Sequence, residues 1–223
     1  MNRKGVLEAI YTILYGRYGS QNWWPYTDVK NKGFEICLGA ILTQNTSWQN
    51  VEKALENLKA NNLLSINSID SVNFERLSTF LRPSGYFNQK AKKLKAFVRF
   101  IIKNYDGDLK KLLSLPIDKL REELLSIYGV GPETADSIIL YAANKPIFVI
   151  DAYTKRVMSR LGFGEHSYES LQSLFMDNLS LDTEEFNEFH ALFVRLGKEV
   201  CRTKPKCSVC CLKGSCHYPS KVV

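Results

Sequence analysis

Apolar residues recur along most of the chain at three- and four-residue spacing, the period of a helix face. Within residues 51–64, Val51, Ala54, Leu55 and Leu58 fall on one stripe. Within 89–105 the stripe is Ala91, Leu94, Phe97, Val98, Ile101, Ile102 and Tyr105. Lys90, Lys92, Lys93, Lys95, Arg99 and Lys103 are expected mostly off it, facing water. Within 183–200, Phe186, Phe189, His190, Phe193 and Val200 repeat the pattern. Turn signals separate these segments at Arg82-Pro83-Ser84-Gly85, Asp106-Gly107 and Tyr128-Gly129-Val130-Gly131-Pro132. Only residues 145–151 have a strand-like pattern, and they are short enough to be a connector. The pattern predicts an all-α fold, with no internal repeat or low-complexity tract.

Composition adds little to the fold and more to the partner. The 223 residues are 45% hydrophobic and 24% charged, ordinary for a globular chain that needs no staples. No apolar run is long enough for a membrane span. Glu8, Tyr11 and Tyr15 interrupt the apolar part of the N-terminal segment, which predicts a helix rather than a signal peptide. The expected setting is the prokaryotic cytoplasm, close to the nucleoid, with the chain acting as a monomer. Net charge is +7, which fits a polyanionic partner without requiring one.

Residues 119–143 show where such a partner would be held. A helix ending near Ile127, a glycine turn and a helix opening at Pro132 make a hairpin. Proline suits the first helical position, where its missing N–H is no loss. Gly129 and Gly131 bare the backbone around Val130, so the amides opening the second helix can hold a phosphate without reading a base. A plain αα-hairpin has the same turn chemistry. Asp151, just before residues 152–160, has the position of a helix N-cap.

Five of the six cysteines crowd into residues 201–216, unlike the even spread of a secreted disulfide framework. Cys201, Cys207, Cys210 and Cys216 can surround one metal centre, with Cys211 outside the spacing. Spacing alone leaves a structural zinc and an iron–sulfur centre both open. Arg202, Lys204 and Lys206 lie between the first two cysteines, where they can meet the phosphates of a polyanionic partner or simply face water.

Leu-x-x-x-Gly-Val-Gly-x-x-Thr-Ala, followed by Val-Ile-Asp-x-x-x-x-Arg-Val, closely resembles the helix-hairpin-helix and catalytic loop of the endonuclease III superfamily of DNA glycosylases. The resemblance implies two helical lobes: a six-helix barrel over residues 28–144, and a cluster-bearing lobe from 1–27 with 145–223. It implies that Asp151 is the catalytic carboxylate, acting on the sugar of a nucleotide flipped out of double-stranded DNA. It favours a [4Fe–4S] cluster on the four cysteines, although the first interval is one residue shorter than in the family. Bifunctional relatives carry a Schiff-base lysine before Thr134-Ala135, whereas this chain has Glu133. The expectation is a monofunctional glycosylase without strong lyase activity.

Residues 20–200 more narrowly resemble the bacterial helix-hairpin-helix 3-methyladenine DNA glycosylases. The shared segments are Trp23-Trp24-Pro25, the run from Phe34 to Thr46, and Arg82-Pro83-Ser84-Gly85-Tyr86-x-Asn88-Gln89-Lys90-Ala91. That likeness implies an aromatic box of Trp23, Trp24, Pro25 and Trp48 around the extruded base. Such a box suits a cationic methylated purine, which π-faces attract by roughly 0.5–2 kcal/mol each. Gln44 matches the residue that fills the gap left by the base, and Gly85 with Tyr86 the second DNA-probing loop. Adenine-mismatch glycosylases carry a glutamate where this chain has Ala40. The alternatives are an endonuclease III-like enzyme for oxidised pyrimidines and a non-catalytic damage-binding module. The three histidines, His166, His190 and His217, suggest no catalytic pattern, and His190 reads as core.

Overall fold

A computed structural model describes residues 2–27, 31–164 and 166–218. The expected lobe boundary at residue 28 and the chain end at 219–223 lie outside them. Among the described residues the secondary structure is all helical. None of the helices is long and apolar enough to cross a membrane. The chain divides into two compact units, Trp24–Lys145 and Met1–Trp23 with Pro146–Val223.

The N-terminal helix α1 (Arg3–Tyr18) belongs to the discontinuous unit. The continuous unit is built around α2 (Lys32–Leu42), in which every residue from Phe34 to Leu42 is buried. A helix apolar all round must be covered on all sides. It packs on α3 (Trp48–Ala60) and on α6 (Phe87–Tyr105). Short helices α4 (Ile66–Ser71), α5 (Phe74–Phe80), α7 (Leu109–Leu113) and α8 (Ile117–Leu125) fill in around them. The last helix, α9 (Pro132–Ser137), continues as a wider π-helical turn, Ile138–Ala142, that also lies on α2.

Two lysines of α6 depart from the expected solvent face. Lys90 is only 2% exposed and donates to the Ser84 carbonyl at 2.6 Å. Lys95 is buried and donates to Asp70 O, 2.6 Å away, and to Val72 O. Short helices and turns leave carbonyls unsatisfied at their ends, and these ammoniums supply the donors. Burial, with Lys93 nearby, pulls the Lys90 pKa down to about 8. The unfolded chain therefore binds more protons than the folded one between about pH 8 and the ordinary lysine value. Burying the cation destabilises the fold fully below that window, and the penalty is relieved as pH rises through it. Lys90→Met should abolish a rise in unfolding free energy of about 2–3 kcal/mol between pH 8 and 10.5, read by denaturant melts of both proteins.

In the discontinuous unit, α10 (Ala152–Met158), α11 (Tyr168–Met176) and α12 (Thr183–Glu199) complete the set with α1. Residues 146–151 are not a strand. They have no regular secondary structure, and residues 147–151 are buried, with Phe148 stacked 3.8 Å from Phe175 and edge-on to Phe186 and Phe189. Their backbone polar groups go to side chains: Phe148 O accepts from Gln172 at 2.7 Å, and Ile150 N donates to the Tyr168 hydroxyl at 3.4 Å. Burial without ladder partners explains why this segment looks strand-like in sequence.

Candidate active site

In the continuous unit, Trp24 and Trp48 meet edge to face with centroids 5.1 Å apart. Trp24 also packs against Tyr141, 5.0 Å away on the π-helical turn. Gly39 of α2 lies under both indoles. A Cβ there would stand 3.2 Å from Trp24 and 3.4 Å from Trp48, so the glycine permits the close approach. Trp24 is buried and Trp48 half-buried, while Pro25 is exposed. Trp23 is half-buried and falls in the other unit.

The segment carrying Trp24 is tied down by Glu35, buried one turn before Gly39. Its carboxylate accepts from Thr27 N at 2.9 and 3.1 Å and from Thr27 Oγ1 at 3.1 Å. Trp48 donates its indole N–H to Glu52 at 2.7 Å.

Gln44 does not project freely. Its amide donates to Gly129 O at 3.0 Å and to Thr134 Oγ1 at 2.9 Å, and its carbonyl accepts from Lys93. The stem of Lys93 covers Gly129, where a Cβ would come within 2.5 Å of it. With φ of +81° as well, position 129 accepts only glycine. The residue expected to plug the duplex is thus fastened to the hairpin and to Lys93.

The hairpin turn differs in detail from the expectation. Val130 is buried and its N–H donates to Ile127 O at 3.1 Å, so that amide is engaged within the turn. Gly131 has extended backbone and caps α9, with open space where a Cβ would stand. On α9 itself, Asp136 is wholly buried and accepts from Arg121 of α8 at 2.8 and 3.3 Å. Glu133 is exposed in the first turn of α9. The probing loop presents Gly85 at φ +69° and Tyr86 at φ +46°, with Tyr86 71% exposed. An exposed aromatic on left-handed backbone is held there by its surroundings, here the Lys90–Ser84 bond.

In the discontinuous unit Asp151 caps α10, accepting Thr154 N at Oδ1 over 2.7 Å. It is 9% exposed. His190 of α12 stands beside its other oxygen, Nε2 to Oδ2 3.8 Å. Sequence gave no sign of this neighbour, because the two lie on different helices. Burial lowers the His190 pKa, with the Asp151 charge opposing, so the imidazole is neutral at neutral pH. Arg156 donates to Cys201 O at 2.8 Å and Gly197 O at 3.0 Å. Gly197 lets Tyr153 lie on α12, and the same contact fixes Asp151 at the start of α10.

Cys201, Cys207, Cys210 and Cys216 line one cavity with Arg160, Pro205 and Tyr218, and Cys211 does not line it. Arg160 donates to Cys201 Sγ at 3.3 Å, and Cys216 Sγ donates to Arg160 O at 3.3 Å. Among the described residues, no three His, Cys, Asp or Glu side chains are drawn together tightly enough for a single metal ion. Lys204 is exposed on the loop.

The model for the HhH-GPD superfamily of base excision DNA repair proteins matches residues 38–180. A Methanocaldococcus jannaschii protein named as a candidate DNA repair glycosylase, MJ1434, is 46% identical over 219 residues, spanning 96% of this chain and 97% of its own. The Helicobacter pylori 3-methyladenine DNA glycosylase MagIII, solved with 1,N6-ethenoadenine, superposes with a TM-score of 0.76 at 30% identity. That alignment covers 89% of this chain and 98% of MagIII. A trapped endonuclease III–DNA covalent intermediate has the same fold, with a TM-score of 0.84 at 22% identity over 98% of each chain.

Proposed function

Because the chain belongs to the HhH-GPD superfamily of base excision DNA repair proteins, we propose that it is a monofunctional DNA glycosylase for alkylated purines such as 3-methyladenine. The observation that carries this reading is the Trp24–Trp48–Tyr141 cluster on its Gly39 floor. Aromatic faces bind a cationic base, and a cationic base is an activated leaving group that needs no strong general acid. The resemblance assigns the box and Asp151 to one extruded nucleotide. Trp23 and Pro25 complete the box in this reading, and Gln44 leaves the hairpin to fill the vacated stack.

Asp151 supplies negative charge to the oxocarbenium-like sugar and orients the attacking water. Its Oδ1 is fixed by Thr154 N–H, and the neutral His190 beside Oδ2 does not cancel that charge. Gly129, Gly131 and the opening amides of α9, with Lys204, hold backbone phosphates of the duplex. Glu133 has no amine, so no Schiff base forms at its position. Incubation with duplexes carrying a methylated purine, thymine glycol or uracil should release free base from the first alone. Borohydride should trap no protein on any of them. Release from thymine glycol with trapping would instead mark an enzyme for oxidised pyrimidines.

The four cysteines fit a [4Fe–4S] cluster. All four line one cavity, while the spare Cys211 does not. The resemblance to the cluster-bearing members of the family favours iron over a structural zinc. When bound, the cluster pins the basic loop of Arg202, Lys204 and Lys206 as a phosphate-contacting surface. Purified protein should show an absorbance band near ~400 nm that Cys207→Ala abolishes and Cys211→Ala retains. Zinc without iron in the metal analysis would overturn the cluster assignment.

A further inference from the structure

The acceptor that holds Trp48 is a carboxylate. Glu52 lies one turn further along α3, and its Oε1 receives the indole N–H at 2.7 Å. Any neutral oxygen would fix the ring equally well, because the indole has only one donor to satisfy. An ionised acceptor does more. Its bond is stronger and shorter than a neutral one, and it polarises the group that donates to it. Electron density pushed into the indole makes the ring face more negative, and the face is what a cation meets.

The surroundings leave Trp48 as the ring on which this acts. Trp24 is buried between Trp48 and Tyr141, whereas Trp48 is half-buried and edge-on to Trp24 at an interplanar angle of 88°. Gly39 lets both indoles pack directly onto the backbone of α2. We propose that Glu52 is a specificity-determining residue of the base pocket, whose charge, passed through the Trp48 indole, biases the pocket toward positively charged bases over neutral ones. This rests on reading Trp24 and Trp48 as the walls of that pocket. It assigns discrimination to a residue outside the aromatic walls themselves.

Glu52→Gln separates charge from geometry, since the amide oxygen still accepts the indole N–H. Single-turnover release would be followed from duplexes carrying 7-methylguanine, which is cationic, and hypoxanthine, which is neutral. Glu52→Gln should lower the ratio of the two rates about three- to fivefold, the range of a cation–π interaction at a site open to water. A ratio unchanged within about twofold, whether both rates fall or neither does, would overturn the proposal and leave Glu52 a support for the ring. Tryptophan fluorescence titrations with 1-methyladenosine, a cation at neutral pH, and with adenosine need no catalysis. The wild-type protein should prefer the cation and Glu52→Gln should lose that preference. Equal preference in the two proteins contradicts the role of Glu52. If neither duplex loses its base while the titrations give the expected difference, the charge selection stands, and the glycosylase reading is decided separately by release from a 3-methyladenine duplex.

Discussion

Asp151→Asn is expected to slow base release by about two to three orders of magnitude while changing duplex affinity no more than a few-fold. The substitution is unusually clean here. Asparagine caps a helix as well as aspartate does, and its Oδ1 remains to accept Thr154 N–H. The fold of α10 should therefore be unchanged, and only the charge is lost. That charge is available in the native protein because burial keeps His190 neutral, so no imidazolium screens the carboxylate. Single-turnover kinetics on a methylated duplex, with binding measured separately, check it. Full activity in Asp151→Asn would leave the residue as a helix cap and nothing more.

The second large effect is on stability. Arg121→Ala should destabilise the protein by about 3–5 kcal/mol, because it strips the guanidinium from a carboxylate with no exposure at all. A change of this size corresponds to a drop of roughly 8–15 °C in Tm for a chain of this length. Arg121→Met combined with Asp136→Leu should recover most of the loss, since it removes the buried charge together with its partner. The double variant tests the physical cause rather than mere disruption. The pair joins α8 to α9, the two helices of the hairpin, so the single variant should also weaken duplex binding near its melting range. A single variant that melts within about 2 °C of wild type would show that the pair contributes little.

What sequence made legible follows from what periodicity encodes. The stripes of α3, α6 and α12 are cut by the 3.6-residue period and reappear as buried faces. The hairpin was readable because Gly129 and Pro132 each have a narrow backbone role, and the four cysteines because short spacing confines them to one loop. Lys90 and Lys95 were misplaced on the solvent face, since nothing in a helical period shows that a neighbouring turn lacks donors. Residues 147–150 are apolar because they are buried, and the pattern cannot tell a threaded connector from a strand. The neighbour of Asp151 and the tether of Gln44 arise from different helices, beyond the reach of local pattern. Glu52, by contrast, sits four residues after Trp48, and the i, i+4 spacing marks it as a partner for the indole.

The decisive measurement is the identity of what leaves the DNA. A duplex bearing 3-methyladenine, incubated with excess protein and analysed by mass spectrometry, should yield the intact free base with both strands unbroken until alkali is added. Retention of the methylated base in the duplex, or strand cleavage with a protein adduct before alkali, would contradict a hydrolytic glycosylase working through Asp151 and an aromatic box.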